Sequence, residues 1–186
     1  MERSTRVQPW FTLSIAQGTT LQVGGLVGAA ALARIAARHP AHGGGWLIAS
    51  RVLAYFCDHA VAHWAVGRLV GIRFTAYGVH GTSHPQVYPP GIRAIFTHLP
   101  LLSARTDPQS LRAAAPLARA SMYAAGTVST AVVSLVIPLY GLRHGVQHAR
   151  GVLIGSSLGM GAILLSEALR PGGDLRRAWH TLRTHR

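Results

Sequence analysis

The residues best suited to chemistry are packed into six positions, Asp58-His59-Ala60-Val61-Ala62-His63. Histidines four apart on a helix project from one face, and their imidazole nitrogens can hold a single metal ion between them. The same spacing also serves two histidines that hydrogen-bond neighbouring helices in a polar core, and the pair alone leaves both readings open. Asp58 points about 100° away from His59 around a helix, so its natural partner is Arg51, seven residues back on the same face, where pairing offsets the cost of burying both charges. Metal ligand and substitute base are the other roles open to it. Glu167 is read as an interfacial residue near Arg170, with fourth metal ligand as its alternative.

A helix carrying Arg51, Asp58, His59, His63 and Arg68 needs unusual surroundings, and composition says what they are. The 186 residues are 49% hydrophobic and 12% charged, against roughly a quarter charged in soluble domains. All 18 basic residues are Arg, only five residues are acidic, and the formal charge is +13. The arginines sit singly or in small groups between apolar runs rather than in one dense stripe, which argues against nucleic acid and for anionic head groups. The Arg-only basicity with abundant Ala and Gly suggests a GC-rich bacterial genome. Cys57 is the only cysteine, so no intrachain disulfide can form, and the thiol reads as a small core residue.

Four apolar stretches are long enough to cross a hydrocarbon core of about 30 Å. The first is Leu21 to Ala37, extended by Trp10 to Thr20; a cleavable signal peptide is its competing reading. Trp46 to Ile72 carries the histidines. Ser121 to Leu142, with Pro138 near its end, and Gly151 to Leu169 complete the set. Gly151, Gly155 and Gly159 form a small-residue ridge for close helix packing, and Gly67 and Gly71 offer a second. The expected fold is an all-α membrane protein of about four transmembrane helices with a cytoplasmic strand or re-entrant segment. Its parts are an N-terminal segment with the first span (1–45), a three-helix core with a loop at 73–120 (46–170), and a basic amphipathic tail (171–186).

Positive charge is retained on the cytoplasmic side. With both termini inside, Arg3, Arg6, Arg73, Arg93, Arg105, Arg112, Arg119, Arg170, Arg176, Arg177, Arg183 and Arg186 are cytoplasmic, and only Arg34, Arg38, Arg143 and Arg150 lie outside. The location implied is the inner membrane of a bacterium. Ile72 to His80 alternates and predicts a short strand or hairpin at the membrane surface. The rest of the loop, with Pro85, Pro89, Pro90, Pro100 and Pro108, predicts irregular or interfacial chain, closing in a short helix from Gln109 to Arg119. His80, His84 and His98 read as solvated loop histidines, and His144 and His148 as head-group contacts. From Asp174 onward, Leu175, Ala178, Trp179 and Leu182 among four arginines predict an amphipathic helix on the cytoplasmic leaflet.

The histidine pair, together with the stretch Trp64-Ala-Val-Gly-Arg-Leu-Val-Gly-Ile-Arg-Phe74 directly after it, resembles the site-2 protease family of intramembrane zinc metalloproteases, over roughly residues 46 to 182. The resemblance implies a three-helix core in which a membrane-hugging strand segment comes after the histidine helix. Ala114 to Ser134 then looks like the family's small-residue helix, and Pro171-Gly-Gly-Asp174 like a permuted form of the Pro-x-Asp-Gly-Gly stretch. By that likeness His59, His63 and Asp174 would be the zinc ligands. The family's motif has Glu after the first histidine as general base; this chain has Ala60, which transfers no proton. The expectation is therefore a proteolytically inactive membrane protein with a metal site and a structural or partner-binding role among lipids and other membrane proteins. Two alternatives stand beside it: an active metalloprotease with an atypical base, and an accessory subunit of a respiratory or photosynthetic complex whose His59 or His63 ligates a haem or chlorophyll-type pigment.

Overall fold

A computed structural model describes residues 8–82 and 90–184 of the chain. Glu2, Arg3, Arg6, His84, Pro85, Pro89 and Arg186 fall outside them. In chain order the elements are β1 (Phe11–Leu13), α1 (Ile15–Arg38), α2 (Gly44–Leu69), β2 (Phe74–His80), α3 (Pro90–His98), β3 (Leu101–Thr106), α4 (Pro108–Ala113), α5 (Pro116–Arg143), α6 (Ala149–Leu169) and α7 (Asp174–Arg183).

The four long helices alternate in direction. At one end the α1–α2 turn meets the α5–α6 turn: the Gln147 amide donates to the Pro40 carbonyl at 2.8 Å, and Ala36, Leu47, Val146 and Ala149 form a small buried cluster. At the other end lie the sheet, the short helices and α7. Three of the long helices, α1, α5 and α6, are long and apolar enough to cross a membrane, which is compatible with a multi-pass membrane protein. α2 is equally unbroken, but its ionisable residues leave it outside that set.

The distribution of side chains is inverted relative to a water-soluble bundle. Gln22, Ser50, Asp58, Thr127, Thr130 and Ser134 are buried between helices, while Leu21, Val27, Val128, Val132, Val136 and Leu158 face outward with about half or more of their surface exposed. Several of the inward polar groups are paired, within a helix or across helices, whereas Thr127 Oγ1 and Asp58 Oδ2 are buried without a hydrogen-bond partner among the described residues. Ser50 donates to the Ala29 carbonyl at 2.7 Å, and Gln22 donates to the Gly18 carbonyl at 3.2 Å while accepting from the Val61 amide at 2.9 Å. Buried amides and hydroxyls in apolar surroundings cost free energy unless paired in this way.

Several expectations need correction. The strand expected within Ile72 to His80 is present as β2, but it does not stand alone: β1, β2 and β3 form an antiparallel sheet in that order, with Phe11 opposite Val79 and Val79 opposite Leu102. The stretch ahead of Leu21 does not extend the helix back to Trp10. Ser14 caps α1 instead, its hydroxyl accepting from the Gln17 amide while the Gln17 side chain accepts from the Ser14 amide, and β1 lies before it. Such a reciprocal box satisfies amides that an added upstream turn would otherwise have to pair. The supposed loop holds α3 and β3, and the helix expected over Gln109 to Arg119 is two, because Ala114 and Ala115 are extended and Pro116 opens α5. A residue before proline is pushed out of the helical region, and proline suits the first helical position.

The glycine ridges also behave otherwise. A side chain built at Gly151, Gly155 or Gly159 would meet nothing within 4 Å, so this row packs against no helix. Gly71 is a turn residue at φ +83, a conformation glycine adopts freely, whereas Gly67 does lie close against Phe74 and Met122.

Candidate metal centre

α2 presents His59 and His63 one turn apart toward α5, and the turn after α6 returns Asp174 to the same point. The two Nε2 atoms are 3.2 Å apart, and Asp174 Oδ2 lies 3.3 Å from the Nε2 of His59 and 3.2 Å from that of His63. The structure thus brings together the three residues named as candidate ligands. Glu167 stays just outside the cluster and ligates nothing in it. One of its carboxylate oxygens is bonded to the Arg170 guanidinium, and the other accepts from the Asp174 amide at 2.6 Å. Its place beside Arg170 is as expected; its hold on the Asp174 backbone is additional.

Each imidazole is oriented from behind. His63 donates through Nδ1 to the Met122 carbonyl at 2.7 Å. The Nδ1 of His59 lies 3.3 Å from the Thr130 hydroxyl, whose hydrogen is shared between the Gly126 carbonyl at 2.9 Å and Asp58 Oδ1 at 3.2 Å. Asp58 is therefore turned toward α5 and does not pair with Arg51. The expected ion pair is absent because Thr130 offers the carboxylate a hydrogen bond across the helix interface, while the Arg51 guanidinium lies over the Tyr55 ring, 5.3 Å from its centroid.

Gly126 makes the space. A Cβ there would collide with the His63 ring and crowd His59, so α5 can approach the histidines only because this position has no side chain. Sequence reasoning placed the small-residue stretch but missed Thr130 and Gly126 individually. The signal was present: Thr127, Thr130 and Ser134 recur at helical spacing and mark the inward polar face of α5.

The electrostatics derive from this arrangement. A proton on Nδ1 leaves the Nε2 of a neutral imidazole as a lone pair. Two such lone pairs and a carboxylate oxygen converge, and that is repulsive unless a cation, metal or proton, lies among them. Burial alone would raise the Asp174 carboxyl, but hydrogen bonding and charge from the two histidines outweigh it and hold the group well below the ordinary carboxylate range. Donor separations of 3.2 to 3.3 Å match the edge of a tetrahedron with bonds of about 2.0 Å, the length usual for zinc with nitrogen and oxygen ligands. The residues therefore fit zinc and leave one corner open. His59 is the accessible wall, with 41% of its side chain exposed against 14% for His63.

The other histidines have separate places in the fold. His80 is bonded on both nitrogens, to the Gly81 carbonyl at 2.6 Å and to the Ser103 hydroxyl at 2.9 Å, and so is a structural residue of the sheet rather than a solvated one. His98 ends α3, His144 stacks on Tyr140, and His148 precedes α6. Compared with protein-family models, with curated proteins and with solved structures, the chain matches none.

Proposed function

We propose that this chain is a four-span protein of the bacterial inner membrane, both termini cytoplasmic, that holds zinc at His59, His63 and Asp174 and acts through structure or partner binding rather than proteolysis. The observation that carries the reading is the convergence of three donor atoms at tetrahedral spacing, each imidazole fixed by a bond from its other nitrogen. Such outer bonds set the tautomer that a metal-binding histidine needs. When bound, zinc supplies Lewis acidity and a rigid junction between α2 and the turn before α7.

The four-span reading is supported by the alternation of the long helices and by the polar interior of the bundle. α2 would be the fourth span, its charges shielded by the other three. The described arginines divide between the two ends as the retention of positive charge inside requires, with the sheet and α7 on the cytoplasmic side.

Catalytic inactivity is supported by what surrounds the open corner. Ala60 is buried and carries no proton-transferring group. Asp58 is bonded to Thr130, Glu167 to Arg170 and the Asp174 amide, and Asp107 to Arg73. Asp58 reaches the centre only through Thr130 and Glu167 only through the Asp174 amide, and among the described carboxylates Asp174 alone lies within ion-pair distance of the two histidines.

Elemental analysis of detergent-purified protein tests the reading. About one zinc per chain is expected, lost in His59→Ala and in His63→Ala, with no cleavage of a single-span substrate and no visible absorption band. Wild-type protein without stoichiometric metal removes the metal site, cleavage abolished by His63→Ala removes the inactivity, and a tetrapyrrole spectrum replaces zinc with a pigment.

A further inference from the structure

A second polar feature lies at the opposite end of the bundle from the candidate metal centre. α2 packs mainly on α1 and α5, and α6 mainly on α5. The gap left between α2 and α6 is an open cleft of about 450 Å³ along the side of the bundle. Gly151, Gly155 and Ser156 form its α6 wall, and the absence of side chains at the two glycines leaves it open. Its polar side chains are Arg51 from α2, His148 at the start of α6 and Ser156.

Arg51 lacks a counter-charge. Its Nε is buried and makes no hydrogen bond among the described residues, and no described carboxylate lies within ion-pair distance of it. Asp58, the nearest acid along α2, is about 10 Å further along the helix axis and bonded to Thr130. The arginines that share this end, Arg34, Arg38, Arg143 and Arg150, add positive charge. A guanidinium in apolar surroundings with no anion is costly, and its planar fork matches phosphate oxygens.

His148 faces the same space. It holds a left-handed backbone conformation at φ 65, uncommon outside glycine but one that histidine adopts more readily than most residues. Its ring lies close to Gly44 at the start of α2, and the residue is exposed.

We infer that the cleft between α2 and α6 binds a phosphate-type oxyanion through Arg51 and His148. The anion is carried either by a phospholipid head group, which rests on the membrane reading, or by a soluble phosphate, which does not.

The test uses the full chain in micelles of a maltoside detergent, which carries no phosphate. One arm titrates phosphatidylglycerol into the micelles, and the other titrates inorganic phosphate into the buffer. Each is read as the rise in Tm that selective binding to the folded state produces. A rise in the first arm identifies a lipid source and in the second a soluble one. In either case the apparent affinity is expected to weaken about tenfold or more in Arg51→Gln, a loss in the range of a charge-assisted pair. It should also weaken in His148→Asn, a replacement that tolerates the left-handed backbone. Arg34→Gln, which removes an equal charge from an exposed position on α1, should respond like wild type. If Arg51→Gln does not fold, the comparison of His148→Asn with Arg34→Gln decides. Absence of a rise in both arms, or equal responses in the cleft variants and Arg34→Gln, overturns the inference.

Discussion

Thr130 joins two adjacent residues of the histidine helix. Its hydroxyl stands between His59 Nδ1 and Asp58 Oδ1, so it both orients a candidate ligand and satisfies one oxygen of a buried carboxylate. Thr130→Val keeps shape and removes both bonds. Zinc affinity, measured by competition with a chromophoric chelator, is expected to fall about 10- to 100-fold, the range for loss of an outer-shell partner. An unchanged affinity would show that His59 is oriented by packing alone. Gly126→Ala gives the opposite geometry: alanine is normally favoured over glycine inside a helix by about 1 kcal/mol, but here its methyl group would enter the space of His63. Loss of zinc in a protein that still purifies as a monodisperse species is the expected outcome. Retention of wild-type affinity would mean that α5 and α2 separate easily.

At the scale of elements, the site depends on a turn more than on any helix. Asp174 reaches the histidines because Pro171, Gly172 and Gly173 reverse the chain after α6, with Gly172 at φ +87 and Gly173 in contact with the Glu167 carbonyl. Glu167 then accepts from the Asp174 amide and pairs with Arg170, so one side chain closes the turn. Glu167→Ala is expected to weaken zinc binding about tenfold while leaving the helical circular dichroism unchanged. A value equal to wild type would assign the turn to its glycines alone.

The histidine spacing, the stretches 121–142 and 151–169 and the amphipathic tail were legible in the sequence, because apolar runs and helical periodicity are local properties. Asp174 was legible only through resemblance, since no local rule brings residue 174 to residue 63. The missed features are non-local or need atomic detail. The region 90–106 has little periodicity between its prolines, yet it supplies a strand that the edge of β2 completes. Asp58 pairs on paper with Arg51 because both lie on α2, while its actual partner comes from α5, 72 residues away.

At the scale of the whole molecule, the polar interior and apolar exterior are two aspects of one solvent assignment. In the proposed membrane setting there would be no hydrophobic gain in pressing large side chains inward, and close approach of small residues with interhelical hydrogen bonds would hold the bundle instead. The buried set fits this account, being mostly Ala, Gly, Ser and Thr. Reporter fusions test the orientation this implies: fusions at the C-terminus and within residues 83–89 should report cytoplasm, and one at Gly145 the opposite side. The reverse pattern would move the metal centre to the other face of the membrane.

X-ray absorption at the zinc edge, on protein purified without added metal and reconstituted in bilayers, reads whether a metal is held among these helices and by which atoms. One zinc per chain is expected, with only nitrogen and oxygen neighbours at about 2.0 Å and the outer-shell scattering of two imidazoles. A spectrum with a sulfur neighbour at about 2.3 Å, which Cys57 alone could supply without a second chain, or protein with no zinc to measure, would contradict it.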